Sequence, residues 1–347
     1  MEIVKGVGLL LVTLAMFSLF SFKAPKGQKA MSGLAGAAVA TFLVEAIHKY
    51  ISGDFAGIAF LGEVGIASGG MGGVAAAALV AIKMGANPVL AITAGAAVAG
   101  YGILPGFIAG YAVGLVSPVL ERKVPEGLDI IVGAILIAPF ARGLAFAFDP
   151  LVNTTLLSIG SMISTAAVQS PILMGIILGG LMKVICSSPL SAMALTAMLG
   201  LQGLAMGIAA VACVGGAFTD AIVFKRLQLG EEGSVLAVLF EPLTQAHIIS
   251  ENPLPVYGSN FFGGAVAGIV AAYFNIVNNA PGTAAPIPGL LAPLGFNDPM
   301  TVLIAMVLAV AGGISVGLIS TTIILKSREK VDAPLQAQTS KMAEAQV

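Results

Sequence analysis

Apolar stretches long enough to enter a bilayer recur along the whole of this chain, and almost no charge interrupts them. They fall at 6–22, 31–50, 66–81, 89–103, 107–120, 128–148, 151–168, 172–185, 191–224, 258–276 and 300–325. In hydrocarbon every backbone amide must be bonded within its own segment, so a chain of this kind has helices as its solution and needs about 20 apolar residues per crossing. Only 10% of the 347 residues are Asp, Glu, Lys or Arg, against roughly 25% in soluble domains. The expectation is an all-α, polytopic integral membrane protein with roughly ten transmembrane helices and re-entrant hairpins. Residues 1–326 read as one membrane transport domain. The charge-rich residues 327–347 read as a disordered cytoplasmic tail.

Composition narrows the function as well. A formal net charge of −1 gives no basic face for nucleic acid. Two cysteines, Cys186 and Cys213, stand far apart in apolar surroundings and read as buried thiols. With a single histidine near the polar region and dispersed carboxylates, no metal or other cofactor is expected. Trp is absent and Gly numbers 44, which points to helices packed backbone against backbone.

The basic residues set the orientation. Lys23, Lys26 and Lys29 follow the first apolar stretch, and Lys83, Arg122/Lys123, Lys225/Arg226 and the tail follow later ones. All belong in the cytoplasm by the positive-inside rule. The parity between them closes if part of 187–219 and the piece 235–255 enter the membrane and return. Re-entrant backbone is tolerated only where protein or a water-filled cavity covers it, so both regions read as cavity linings.

Both carry polar motifs. Glu241–Pro242 through Asn252–Pro253 sets Glu241, Gln245, His247, Glu251 and Asn252 between helix-breaking prolines. Carboxylates and amides there offer acceptors and donors to hydroxyl groups. A second irregular stretch holds Asn278, Asn279 and Thr283 among prolines and glycines, and the apolar run after it reads as a hairpin dipping into the protein. Ser187 and Ser188 open a third, as helix caps or solute contacts. Glu45 and His48 read as a pair on one helical face, Arg142 as snorkelling to an interface or pairing with Asp149, and Lys183 and Asp220 as structural.

The stretches SPILMGIILGG (170–180), SSPLS (187–191) with its Gly/Ala-rich continuation, and NPLPVYG (252–258) followed by NNAPGTAAPIPG (278–289) together resemble the membrane-spanning IIC component of the phosphoenolpyruvate-dependent sugar phosphotransferase system. The compact branch that includes the perfringolysin regulatory protein is the most similar. The resemblance covers about the second half of the chain. It implies a sugar or sugar-like solute, a homodimer, and separate IIA and IIB partners, since a phosphorylating domain has no room here. FEPLTQAHII (240–249) departs from the family's usual Gly-Thr-containing stretch, although its Glu-Pro is similar to that of glucose-type IIC components. Two other classes stay open: an ion-coupled carrier independent of phosphotransfer, and a membrane sensor that binds solute without moving it.

Overall fold

The computed structural model describes residues 2–125, 127–188 and 191–344, and among them every regular element is helical. In chain order, α1 is Glu2–Lys23 and α2 is Gly27–Ala38, which continues as π-helix over Val39–Leu43 and Ala46–Phe55. Next come α3 (Ala59–Gly69), α4 (Gly72–Met84), α5 (Pro88–Ala97), α6 (Ile103–Lys123) and α7 (Asp129–Gln169). The second half contains α8 (Pro171–Cys186), α9 (Ala192–Met198), α10 (Gly203–Leu227), α11 (Glu232–Phe240) and α12 (Ala246–Glu251). It ends with α13 (Pro253–Tyr273), α14 (Pro286–Leu291) and α15 (Pro299–Glu344).

Among the described residues six helices are long and apolar enough to cross a membrane, and a seventh crossing arises if α3 and α4, bent by 54°, form one broken span. The other apolar stretches are short: 11–23, α5, α8 and the 286–295 turn. Two expected crossings, 128–148 and 151–168, merge into the 41-residue α7. Pro139 and Pro150 lie inside it; each removes one amide donor, and the helix continues past both. The expected tail continues α15 as helical backbone to Glu344, with the side chains beyond Ser327 outside the described residues.

α10 is the axis of the second half, packed against α8, α13, α14 and α15. Lipid tails are as apolar as leucine, so these helices associate through close packing, and glycine makes that possible. α8 carries Gly175 and Gly179, and α13 carries Gly264 and Gly268, both pairs four residues apart. A Cβ on Gly175 would lie 2.7 Å from the Gly268 oxygen, and one on Gly179 would lie 2.6 Å from the Gly264 oxygen. The two helices therefore cross in backbone contact and run antiparallel.

The neighbours of each glycine also fix direction. Gly106 meets Gly73 and Gly114 meets Met84, so α4 and α6 run parallel and bring Lys83 to the same end as Arg122/Lys123. Lys26 donates to the Met84 carbonyl at 2.6 Å, which places the turn after α1 there too. Phe22 and Gln28 share a cavity with Ser188 and Pro253, so the C-terminal end of α8 and the start of α13 lie at this end. Arg226, near the end of α10, bonds Thr322 of α15 at 3.0 Å. The basic clusters that the sequence singles out thus collect at one end of the molecule.

Candidate functional site

Three interrupted segments meet beside the middle of α10. The first begins where α8 ends. Ser187 closes that helix, and Ser191 starts α9 at φ 58°, a left-handed conformation uncommon for a residue with a side chain. Its hydroxyl caps the short helix by accepting from the Ala194 N–H at 3.4 Å.

The second segment rises from the basic end. Leaving α10 at Gln228, the chain forms α11, breaks at Glu241–Pro242, and returns through a 3-10 turn at Pro242–Gln245 and α12 to Asn252. Proline at 242 removes the donor that would extend α11, which leaves Glu241 at the break. With 9 and 6 residues, neither α11 nor α12 is long enough to cross a membrane.

The third comes from the opposite end. The Asn278 N–H donates to the Gly203 carbonyl at 3.0 Å, at the start of α10. From there the chain turns back along α10 until Gly289 touches Ala210.

The segments converge on a tight crevice lined by Cys186, Ser191, Met193, Glu241, Leu243, Ala284 and Ala285. It has no room for a water molecule. Glu241 is its one ionisable acid, and burial pushes that carboxyl up to about 7. The Leu243 N–H and the positive charge of Lys183 oppose the shift. A second cavity of about 450 Å³ opens on the other side of α8, between Ser21, Ser188, Ser250 and Tyr257. A cavity of about 820 Å³ lies elsewhere, between α13 and α15. Phe262, Val266, Ile319 and Ile323 dominate its walls, so it offers a polar solute little beyond serine hydroxyls.

The other expected site residues divide. Asn278 is fully buried and spends its side chain locally, donating to Thr283 Oγ1 at 2.8 Å and accepting from the Ala280 N–H at 2.9 Å. Thr283 in turn donates to the Ala280 carbonyl at 2.7 Å. Asn279, exposed, accepts from the Gly203 N–H at 3.1 Å. These three hold the hairpin in shape and set Ala284–Ala285 against the crevice. Gln245 bonds its neighbour Thr244 at 3.4 Å, Asn252 bonds the Ile248 carbonyl at 3.1 Å, and Glu251 is exposed. The side chain of His247 lies outside the described residues. Ser188 lines the 450 Å³ cavity and donates to the Ile185 carbonyl.

Directly below the crevice, Ser187 belongs to a polar cluster that sequence reasoning did not assemble. Lys183 Nζ donates to Asp220 Oδ2, with both side chains at 0% exposure. Ser187 Oγ lies 3.2 Å from the same carboxylate oxygen and accepts from Asn260 Nδ2 at 2.8 Å. These residues come from α8, α10 and α13. Lys183 and Asp220 were legible as ionisable groups in apolar sequence, whereas Asn260, inside YGSNFFGG, gave no separate signal.

Two expected pairings are corrected. Glu45 pairs with Lys49, at 3.0 Å, and the buried His48 Nδ1 has no partner. π-helical winding brings residues four apart into register there, and His48 falls off that line. Arg142 does not pair with Asp149. It donates to the Ala97 carbonyl at 2.7 Å, and its guanidinium lies 5.2 Å from the Tyr101 ring centre. Free backbone oxygens at the end of α5 outcompete the acid.

A sequence model of the family described as phosphotransferase system, EIIC, matches residues 28–336. No curated protein and no solved structure matches the chain.

Proposed function

Since the chain belongs to the phosphotransferase-system EIIC family, whose members are sugar-transporting membrane components, we propose that it binds its solute at the Glu241 crevice and that partner IIA- and IIB-type proteins supply the phosphoryl group. The observation that carries this reading is the convergence on Glu241 of hairpins entering from opposite ends of α10. Irregular backbone at membrane depth is tolerated only where protein or a water-filled cavity covers it, and transporters place their solute where such broken segments meet.

In this reading the Glu241 carboxylate accepts hydrogen bonds from sugar hydroxyls. Ser191 Oγ and the backbone at Ala284–Ala285 complete the polar contacts. Gln245 and His247 belong to the same moving hairpin, and Asn278, Asn279 and Thr283 support the opposite wall. Glu251, Asn252 and Ser188 stand nearer the basic, cytoplasmic end, on the path that solute takes when the crevice opens toward it. Because the crevice is too tight for water, a sugar enters only after the α11–α12 hairpin withdraws from α8.

A panel of labelled hexoses, hexitols and disaccharides, tested for binding to purified protein, checks the assignment. At least one sugar should bind the wild type, and Glu241→Gln should abolish that binding. Full binding in this variant removes Glu241 from the site. Uptake into proteoliposomes driven by an ion gradient, without partner proteins, would replace the phosphotransfer reading with an ion-coupled carrier.

A further inference from the structure

The Lys183–Asp220 pair is expensive to hold. Two charges out of water cost several kcal/mol each unless geometry and further hydrogen bonds compensate. Hydrophobic residues of the same volume would often stabilise the fold as well or better, so charge at this place calls for a role beyond holding helices together.

Its setting is built in detail. The Lys183 stem runs through a slot between α10 and α13. A Cβ on Gly216 would strike its methylenes, and one on Gly264 would strike its Cβ. The slot delivers Nζ to Asp220, and Asp220 Oδ2 also holds Ser187 Oγ. Ser187 receives Asn260 of α13 and lies 3.2 Å from the Lys183 carbonyl. Cys186, between these two α8 residues, is a wall of the Glu241 crevice. α9 and the 284–285 turn contribute no ionisable group to the crevice.

We propose that Lys183, fixed by Asp220, is the positioning residue of the solute site: through the cluster of Asp220, Ser187 and Asn260 it locks the end of α8 as one wall of the Glu241 crevice. The proposal rests on the Glu241 crevice being the solute site, but its test requires no solute. The Lys183→Met/Asp220→Leu double variant removes both charges without stranding either. Two measurements on purified protein in a Cys213→Ala background then decide. The first is the rate at which N-ethylmaleimide labels Cys186, expected to rise about tenfold or more as the wall loosens. The second is the melting temperature in detergent, expected at or near its wild-type value, since apolar replacements of a buried ion pair are often neutral or stabilising.

An unchanged labelling rate in a folded double variant overturns the proposal, and so does faster labelling with a melting temperature several degrees below wild type, because a pair that only holds the fold together would give that result. If the double variant does not fold, Ser187→Ala decides by labelling alone: faster labelling supports the lock, and an unchanged rate refutes it. The loss of sugar binding in Glu241→Gln is a separate result, so the failure of one reading is distinguishable from the failure of the other.

Discussion

Gly179 and Gly264 face each other across the α8–α13 crossing: a Cβ on Gly179 would lie 2.6 Å from the Gly264 carbonyl oxygen, and a Cβ on Gly264 would collide with the carbonyl of Gly179. Neither neighbour is a flexible side chain that can turn away. The contact therefore sets the distance between the helix that carries Lys183, Cys186 and Ser187 and the one that carries Asn260.

Alanine at either glycine should separate these helices. We expect Gly179→Ala and Gly264→Ala each to destabilise the protein by about 1–3 kcal/mol, the usual range for overpacking, seen as a lower melting temperature in detergent. Gly143→Ala is the control. Nothing lies within 4 Å of its added Cβ, and alanine is favoured over glycine inside a helix by about 1 kcal/mol, so that variant should melt at or above the wild-type temperature.

Glu241 makes stability depend on pH with a definite sign. Its carboxyl titrates at about 7 in the folded protein instead of 4.5, chiefly through burial. Between those values the folded state keeps a proton that the unfolded state has released, so stability is greatest below pH 4.5 and falls as pH rises to about 7. The loss is at most about 3 kcal/mol. Melting curves across this window should show a decline in the wild type that is smaller in Glu241→Gln, and parallel curves for the two proteins would refute the assignment.

Asn278 should matter for stability more than its neighbour. Replacing it with Ala leaves the buried Ala280 N–H without its acceptor and removes the donor to Thr283. The expected cost is about 1–3 kcal/mol. Asn279→Ala, at an exposed residue with one bond to Gly203, should cost less. Thermal melting of the two variants compares them directly. The reverse order would mean that the hairpin is held mainly from outside.

Much of the architecture was readable because it depends on local sums. Hydropathy over a window reports the free energy of placing that segment in hydrocarbon, so 31–50, 107–120 and 300–325 lie within helices that pass as spans, and 258–276 overlaps another that ends at Tyr273. The length of 191–224 left one tilted helix or two broken ones open, and the chain divides there into α9 and α10. The continuity of α7 was not. Pro150 after Asp149 looks like a stop, and only neighbouring helices decide whether a proline ends a helix or sits within it. The polar residues likewise marked the right regions without revealing how each side chain is used. Asn278 and Glu241 both looked costly to bury, yet one is satisfied within six residues of chain and the other faces a crevice.

The sequence by itself determined that this is a helical membrane protein with its basic ends on one side, because composition and charge act along the chain. Which polar groups form a site was decided by tertiary structure. Lys183, Ser187, Asp220 and Asn260 span 78 positions and three helices. Their meeting depends on glycine contacts that fix helix spacing and rotation, quantities that no local pattern encodes.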